Sequence, residues 1–407
     1  MEPGNITPPD YSPSTPAPDY SSRPLPGEKC IQKTPRHTAH YDGNCTFTYQ
    51  EYSMSLTLRG CREENGMPVF GLCSTVYGEF EPTDRDQILS IVAKLEGRIL
   101  LKGCSRTSSG TLFSKECTLW QRSASAEGTC PSILPISISF PATYSDHHDR
   151  VIRLPPSVDI VQPRRAAITY SLRVTVRKSK KAIFSRKPVR EISLIAQLSY
   201  SPRARPPRPT PTCFTALKYC PDEWQQEIWS MSKGSRNQNS STLTAQCHFF
   251  LPSLRVFAVS ETIPFHLSFS FSIAFLKSVV EYIGSETGTV TSFDHPVHVF
   301  LLRQTTVYTN RSESTHEEIL GVGSISPDIT PVLDVASENS TVTMSWDGEL
   351  CCEAPITHTS FTTAAFQVKD FVVLSLILPP GPIKSASPEF RHAIPIRLVT
   401  HPWIDRS

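Results

Sequence analysis

The stretch FTYQEYSMSLTLRG, Phe47–Gly60, decides the fold class. Phe47 and Tyr49, then Met54, Leu56 and Leu58, fall on every second position, with Thr, Gln and Ser between them. An extended chain with this period carries one apolar and one polar face, the pattern of a half-buried strand. The rhythm continues downstream. PVFGLCSTVYGEF and DQILSIVAKLEGRILLKG follow, with a turn expected around Glu81–Asp86. Then come GTLFSKECTLWQRS, ILPISISFPATY, VDIVQPRRAAITYSLRVTVRK and REISLIAQLSYSP. Seven or eight short strands, punctuated by Gly, Pro, Asn and Asp, predict an antiparallel sandwich over residues 41–202.

SPRARPPRPTP, Ser201–Pro211, interrupts the rhythm. Residues 203–242 read as a connector, in which Trp224, Ile228, Trp229 and Met231 would line one side of a short helix. Strands resume near Leu243 and make another seven over residues 243–407; Val297, Val299 and Leu301 alternate against His298 and Phe300. No long helical period and no βαβ alternation is present, which argues against a parallel α/β fold. Residues 1–40 are dominated by Pro, Ser, Thr and Asp and read as a disordered tail. The expected fold class is therefore all-β: two tandem immunoglobulin-like sandwiches behind a disordered N-terminal tail.

The totals fit two domains. The chain has 407 residues, 39% of them apolar, and its 40 basic against 38 acidic side chains leave a net charge of +2, which names no partner. FHLSFSFSIAFLKSVV and FVVLSLILPP are shorter than the roughly 20 residues that span a bilayer. The N-terminus lacks a basic segment followed by an apolar one, so an intracellular protein is expected. The 12 cysteines include no Cys-x-x-Cys pair and read as reduced core or loop residues. Cys351 and Cys352, on a strand, would face opposite ways. Sequons at Asn5, Asn44, Asn239, Asn310 and Asn339 point the other way, to secretion.

The strand order resembles the arrestin fold, and in particular the fungal α-arrestin (arrestin-domain-containing) proteins. YGEFEP followed by ILSIVAKLEGRILLKG, and LPISISFP followed by LPPS and AAITYSLRVTVRK, are similar to N-domain stretches of that family. IPFHLSFSF, VHVFLLRQTTVY, VKDFVVLSLILPP and HAIPIRLVTHPW resemble its C-domain, so the likeness covers roughly residues 41–200 and 243–403. It implies arrestin-type sandwiches and a non-enzymatic adaptor. Such adaptors bring HECT-type ubiquitin ligases to membrane receptor or transporter cargo, through Pro-Pro-x-Tyr motifs that WW domains read. It also implies a cytoplasmic protein recruited peripherally to the plasma membrane or endosomes, acting in ubiquitin-dependent endocytosis and trafficking.

Pro8, Pro9, Asp10 and Tyr11 match that motif, and Pro18, Asp19 and Tyr20 form a weaker copy in which Ala17 replaces the first proline. Several relatives carry the motif in a C-terminal tail; here it stands in front. Proline pre-forms the polyproline II helix that a WW groove accepts, so little entropy is lost on docking, and Tyr11 would fill a separate pocket. A second candidate surface is basic. Between Arg164 and Arg208 stand thirteen Lys or Arg and one acid, Glu191. Arg177, Lys178, Lys180, Lys181, Arg186, Lys187 and Arg190 would concentrate charge at one hairpin, for anionic lipid or a phosphorylated or acidic cargo tail. The alternative is a solvated loop whose charges block strand pairing. No zinc motif or aromatic groove supports nucleic acid as a partner.

No catalytic residue, metal ligand or cofactor is assigned. Asp146, His147, His148 and Asp149 form the only metal-like cluster and read as a polar loop, because adjacent histidines in an extended chain point apart. GVGSIS, Gly321–Ser326, lacks the glycine after serine that a nucleophile elbow needs. Two alternatives stand beside the adaptor: an extracellular Ig-like binding module, and an arrestin-like membrane-sorting protein without ligase contact.

Overall fold

The computed structural model describes residues 45–52, 54–102, 107–122, 129–146, 148–179, 189–233, 243–272, 297–309, 312–325, 341–356, 358–377 and 389–403. These residues form twenty-three strands and three short 3-10 turns, with no α-helix among them. The first twelve strands are β1 Cys45–Glu51, β2 Met54–Glu64, β3 Met67–Phe70, β4 Thr75–Glu81, β5 Ile88–Lys102, β6 Thr107–Gln121, β7 Leu134–Ser139, β8 Thr143–Ser145, β9 Val151–Arg153, β10 Val158–Ile160, β11 Ala166–Ser179 and β12 Val189–Tyr200. The remaining eleven are β13 Trp224–Lys233, β14 Leu243–Pro252, β15 Val256–Ala258, β16 Ile263–Ser272, β17 Val297–Thr309, β18 Ser312–Val322, β19 Ser324–Ile325, β20 Thr341–Leu350, β21 Phe361–Thr362, β22 Phe366–Ile377 and β23 Glu389–Val399.

The two sets are wired alike. In the first, β1, β2, β4 and β7 are successive neighbours, and so are β6, β5, β11 and β12. In the second, β13, β14, β16 and β20 take the first role, and β18, β17, β22 and β23 the second. A short strand runs parallel to the last strand of each set, β3 beside β12 and β15 beside β23. A further short strand pairs with the penultimate one, β10 on β11 and β21 on β22. The chain thus repeats one connectivity, as expected for tandem antiparallel sandwiches.

Alternation builds each core. Met54, Leu56 and Leu58 are buried, and Val76, Phe80, Ile136 and Ile138 from the same sheet join them. From the β5–β11–β12 layer, continuous with the first through β3, come Ile91, Ala93, Leu95, Leu172, Val174, Leu194 and Ala196. Each Val, Leu, Ile, Met or Phe side chain among these stabilises the fold by roughly 1.5–3 kcal/mol when fully buried. Phe140 stacks on Tyr200 at 5.0 Å and meets Tyr170 edge-on at 5.7 Å. The Tyr170 ring lies flat against Gly97, where a Cβ would stand 2.6 Å from Cε1. The second core joins Phe249, Leu251, Phe265, Leu267 and Phe269 to Val299, Leu301, Val372, Leu374, Ile394 and Ile396.

Three expectations are corrected or refined. The helix across Trp224–Met231 is strand β13, the outer strand of the second sandwich, paired along its length with β14. The connector proper is therefore residues 201–223, which carry 3-10 turns at Phe214–Lys218 and Pro221–Glu223. Phe214 stacks on His266 at 3.9 Å and meets Trp224 edge-on at 5.2 Å. This cover buries Trp224 on the outer face while Trp229 packs on the core, so neither face reads as purely polar. Second, Cys351 and Cys352 lie just past β20 rather than on a strand. Third, the turn near Glu81–Asp86 is a 3-10 turn at Arg85–Gln87.

Candidate functional site

The two cores meet along one ladder. In β17 and β22, Leu301 faces Val372, Arg303 faces Asp370, Thr305 faces Val368 and Val307 faces Phe366. Residues two apart share a face. Leu301 and Val372 belong to the second core, whereas Val307 and Phe366 belong to the first, at 1% and 0% exposure. One strand pair of the second sandwich therefore seals the first.

Arg303 and Asp370 stand between the two cores. Arg303 Nε and Nη2 donate to Asp370 Oδ1 and Oδ2 at 2.8 and 3.1 Å, with side chains 6% and 1% exposed. Ser360 Oγ donates to Asp370 Oδ2 at 2.6 Å. A two-pronged pair with a third donor meets the conditions under which a buried charge pair is tolerated. His358 lies nearby, with its ring edge-on to Phe361 at 6.0 Å. Burial first, then the Arg303 guanidinium, lowers its pKa to about 4 against the opposing pull of Asp370. His358 lines two cavities. One, about 350 Å³, is lined by Ile160, Gln162, Arg303, His316 and Glu318; the other, about 640 Å³, by Lys102, Asp159, Arg165 and Tyr200.

The connector is tied to the residues that follow β23 and to Glu261, between β15 and β16. His401 N donates to Ala204 O at 3.1 Å, and Arg205 Nη1 to Pro402 O at 2.9 Å. Trp403 N and Thr210 Oγ1 both donate to the Glu261 carboxylate, at 3.2 and 3.3 Å. Arg397 of β23 is half-buried beside Arg153 of β9; burial, then repulsion from Arg153, lowers its pKa. Neither arginine has an ion-pair partner among the described residues, which leaves positive charge where the sandwiches adjoin.

The basic hairpin is partly neutralised. Arg177 Nε is 3.0 Å from Glu191 Oε1, directly opposite it in the β11–β12 register. Lys178 is buried with Nζ 3.1 Å from Asp84 Oδ2, so it cannot belong to an open cationic surface, contrary to the sequence expectation. Arg190, opposite Lys178, is exposed. Lys180, Lys181, Arg186 and Lys187 lie outside the described residues, as do Pro8, Pro9, Asp10, Tyr11, Pro18, Asp19 and Tyr20.

Asp146 closes the β8–β9 turn. It accepts from the backbone of His148 at 2.9 Å and of Arg150 at 3.0 Å, and from Arg150 Nε at 2.9 Å. Burial opposes its ionisation, but these donors prevail and hold the pKa at about 2. His147 lies outside the described residues. Among the described residues no group of three His, Cys, Asp or Glu side chains is placed to hold a metal ion.

No protein-family model matches the chain, and no curated protein matches it significantly. The joint was the feature missed in the sequence. Half of its signal was present: Arg303 is the one charge within VFLLRQTTV, whereas Asp370 stands next to Lys369 in FQVKDFVVL and is masked by it.

Proposed function

We propose that the chain is an arrestin-like, non-enzymatic adaptor that couples membrane cargo to a WW-domain HECT ubiquitin ligase. The observation that carries the proposal is the repeated strand connectivity, two sandwiches of one wiring fused through β17 and β22. A fused pair presents broad sheet faces at fixed separation, which suits recognition of an extended partner. Arg153 and Arg397 at the joint and the exposed Arg190 supply positive charge for an acidic or phosphorylated cargo tail or an anionic membrane. Pro8-Pro9-Asp10-Tyr11 supplies the ligase contact. No helix among the described residues is long and apolar enough to cross a membrane.

The test is a titration of a Thr7–Ser14 peptide against isolated WW domains, with a pull-down of HECT ligase by the full chain. Tyr11→Ala should abolish both signals. A wild-type peptide that gives no titration signal removes the ligase from the proposal and leaves the membrane-sorting alternative. The five sequons favour a second reading, an extracellular binding module. A mass loss on glycosidase treatment of the protein from its native source, with every cysteine blocked to thiol reagents, would select it.

A further inference from the structure

Two cysteines meet where the described fold begins. Cys45 is the first residue of β1, Cys61 lies in β2, and the register sets them directly opposite each other. The rest of the pair follows a different register, with Thr46 opposite Arg59 and Phe47 opposite Leu58. The extra residue is Gly60, at φ +70°, a backbone conformation that glycine adopts without a steric penalty. A one-residue bulge changes the face that later side chains take. Without it, Cys61 would follow Arg59 to the outer face. With it, Cys61 joins Leu56 and Leu58 in the core, on the side of Cys45, Phe47 and Tyr49. Cys61 is buried and Cys45 half-buried; both thiols are free, and Cys61 Sγ lies 3.8 Å from Cys45 O. Residues directly opposed in antiparallel strands have Cβ atoms roughly 4.5–5.5 Å apart. A disulfide takes about 3.5–4.5 Å, so a small approach of β1 to β2 closes the bond.

We propose that Cys45 and Cys61 are a reversible cross-strand thiol pair, oxidised to a disulfide by glutathione disulfide. The Cys45 thiolate attacks one sulfur of glutathione disulfide, whose S–S bond breaks. One glutathione leaves as a thiolate and takes up the proton that Cys45 lost. Cys61 then gives up its proton and its sulfur attacks the Cys45 sulfur of the mixed disulfide. The second glutathione leaves and is protonated. Two protein thiols are oxidised and one glutathione disulfide is reduced to two glutathiones. Accessibility sets the order. Cys45 reaches solvent, whereas burial pushes the Cys61 thiol up and reserves its sulfur for a partner held beside it. The bond ties β1 to β2 where residues 1–44 join the first sandwich. It does not depend on the adaptor function.

The experiment uses the full chain in glutathione buffers of increasing oxidised fraction, followed by alkylation, trypsin and mass spectrometry without reduction. Cleavage after Arg59 and Arg62 releases Cys61 on the tripeptide Gly60–Arg62, so the link appears as that tripeptide added to the Cys45 peptide. The linked species should rise with the oxidised fraction, vanish on reduction, persist in Cys73→Ser and be lost in Cys45→Ser. The wild-type measurement stands alone if a variant does not fold. Recovery of Cys45 and Cys61 only as separate alkylated or glutathionylated peptides, when the exposed Cys73 is fully glutathionylated, overturns the proposal. So does linkage of Cys45 to any other cysteine.

Discussion

Phe366→Ala should weaken the sandwich to which Phe366 does not belong. The residue is carried by β22 in the second half, yet its ring is fully buried in the first core. A phenylalanine removes roughly 150–250 Å² from water, which at about 25 cal/mol per Å² corresponds to about 4–6 kcal/mol. Measured truncations of buried Phe cost about 3–5 kcal/mol. The site cannot relax by moving its backbone. Phe366 N donates to Thr363 Oγ1 at 3.0 Å, Thr363 Oγ1 donates to Phe366 O at 2.6 Å, and Tyr308 N donates to Ala365 O at 2.8 Å. A residual cavity and a loss of about 4 kcal/mol follow. Denaturant unfolding gives the size of the loss, and hydrogen exchange resolved by peptide shows where it falls. Amides of β11 and β12, in the first sandwich, should lose protection together with those of β22. Phe269→Ala, deep in the second core, is the matched control and should spare β11 and β12 at low denaturant. If Phe366→Ala leaves exchange in β11 and β12 unchanged, the two cores are not joined and the reasoning fails.

Two further outcomes concern the joint. Arg303→Met alone strands a buried Asp370 carboxylate and should cost about 3–5 kcal/mol, whereas Arg303→Met with Asp370→Leu should recover most of that loss; a double-mutant cycle by urea unfolding measures both. His358 stays neutral in the fold down to about pH 4 but takes a proton near pH 6.5 in the unfolded chain, so unfolding binds protons between those values and stability falls as the pH drops. The loss amounts to at most about 3 kcal/mol, and it should be absent from His358→Gln when unfolding is compared at pH 7 and pH 4.5.

Long strands were legible because each has one wet face and one dry face. Met54, Leu56 and Leu58 announce β2, and the Ala166–Lys178 run announces β11 in the same way. Strand β13 was not legible, because Phe214 from the connector covers its outer side and buries Trp224 there, which breaks the alternation and lets the apolar residues read as a helical stripe. The short strands β3, of four residues, and β15, of three, each take a partner far along the chain. Ser199 pairs with Val69 and Arg397 with Val256, contacts that no local period encodes. The basic hairpin misled because Asp84, some ninety residues upstream, reaches Lys178 only in the folded chain. Arg303 could have been suspected from its isolation in an apolar run, but Asp370, beside Lys369, could not have been picked out as its partner across the ladder.

The shared ladder has a mechanical consequence. Because Val307 and Phe366 fill one hydrophobic interior while Leu301 and Val372, on the same strands, fill the other, bending the halves apart would tear a core rather than open a loop. Separating the two sandwiches would therefore cost buried apolar surface on both sides of the ladder. A partner that touched both sandwiches would meet surfaces whose relation is set by packing and not by a hinge.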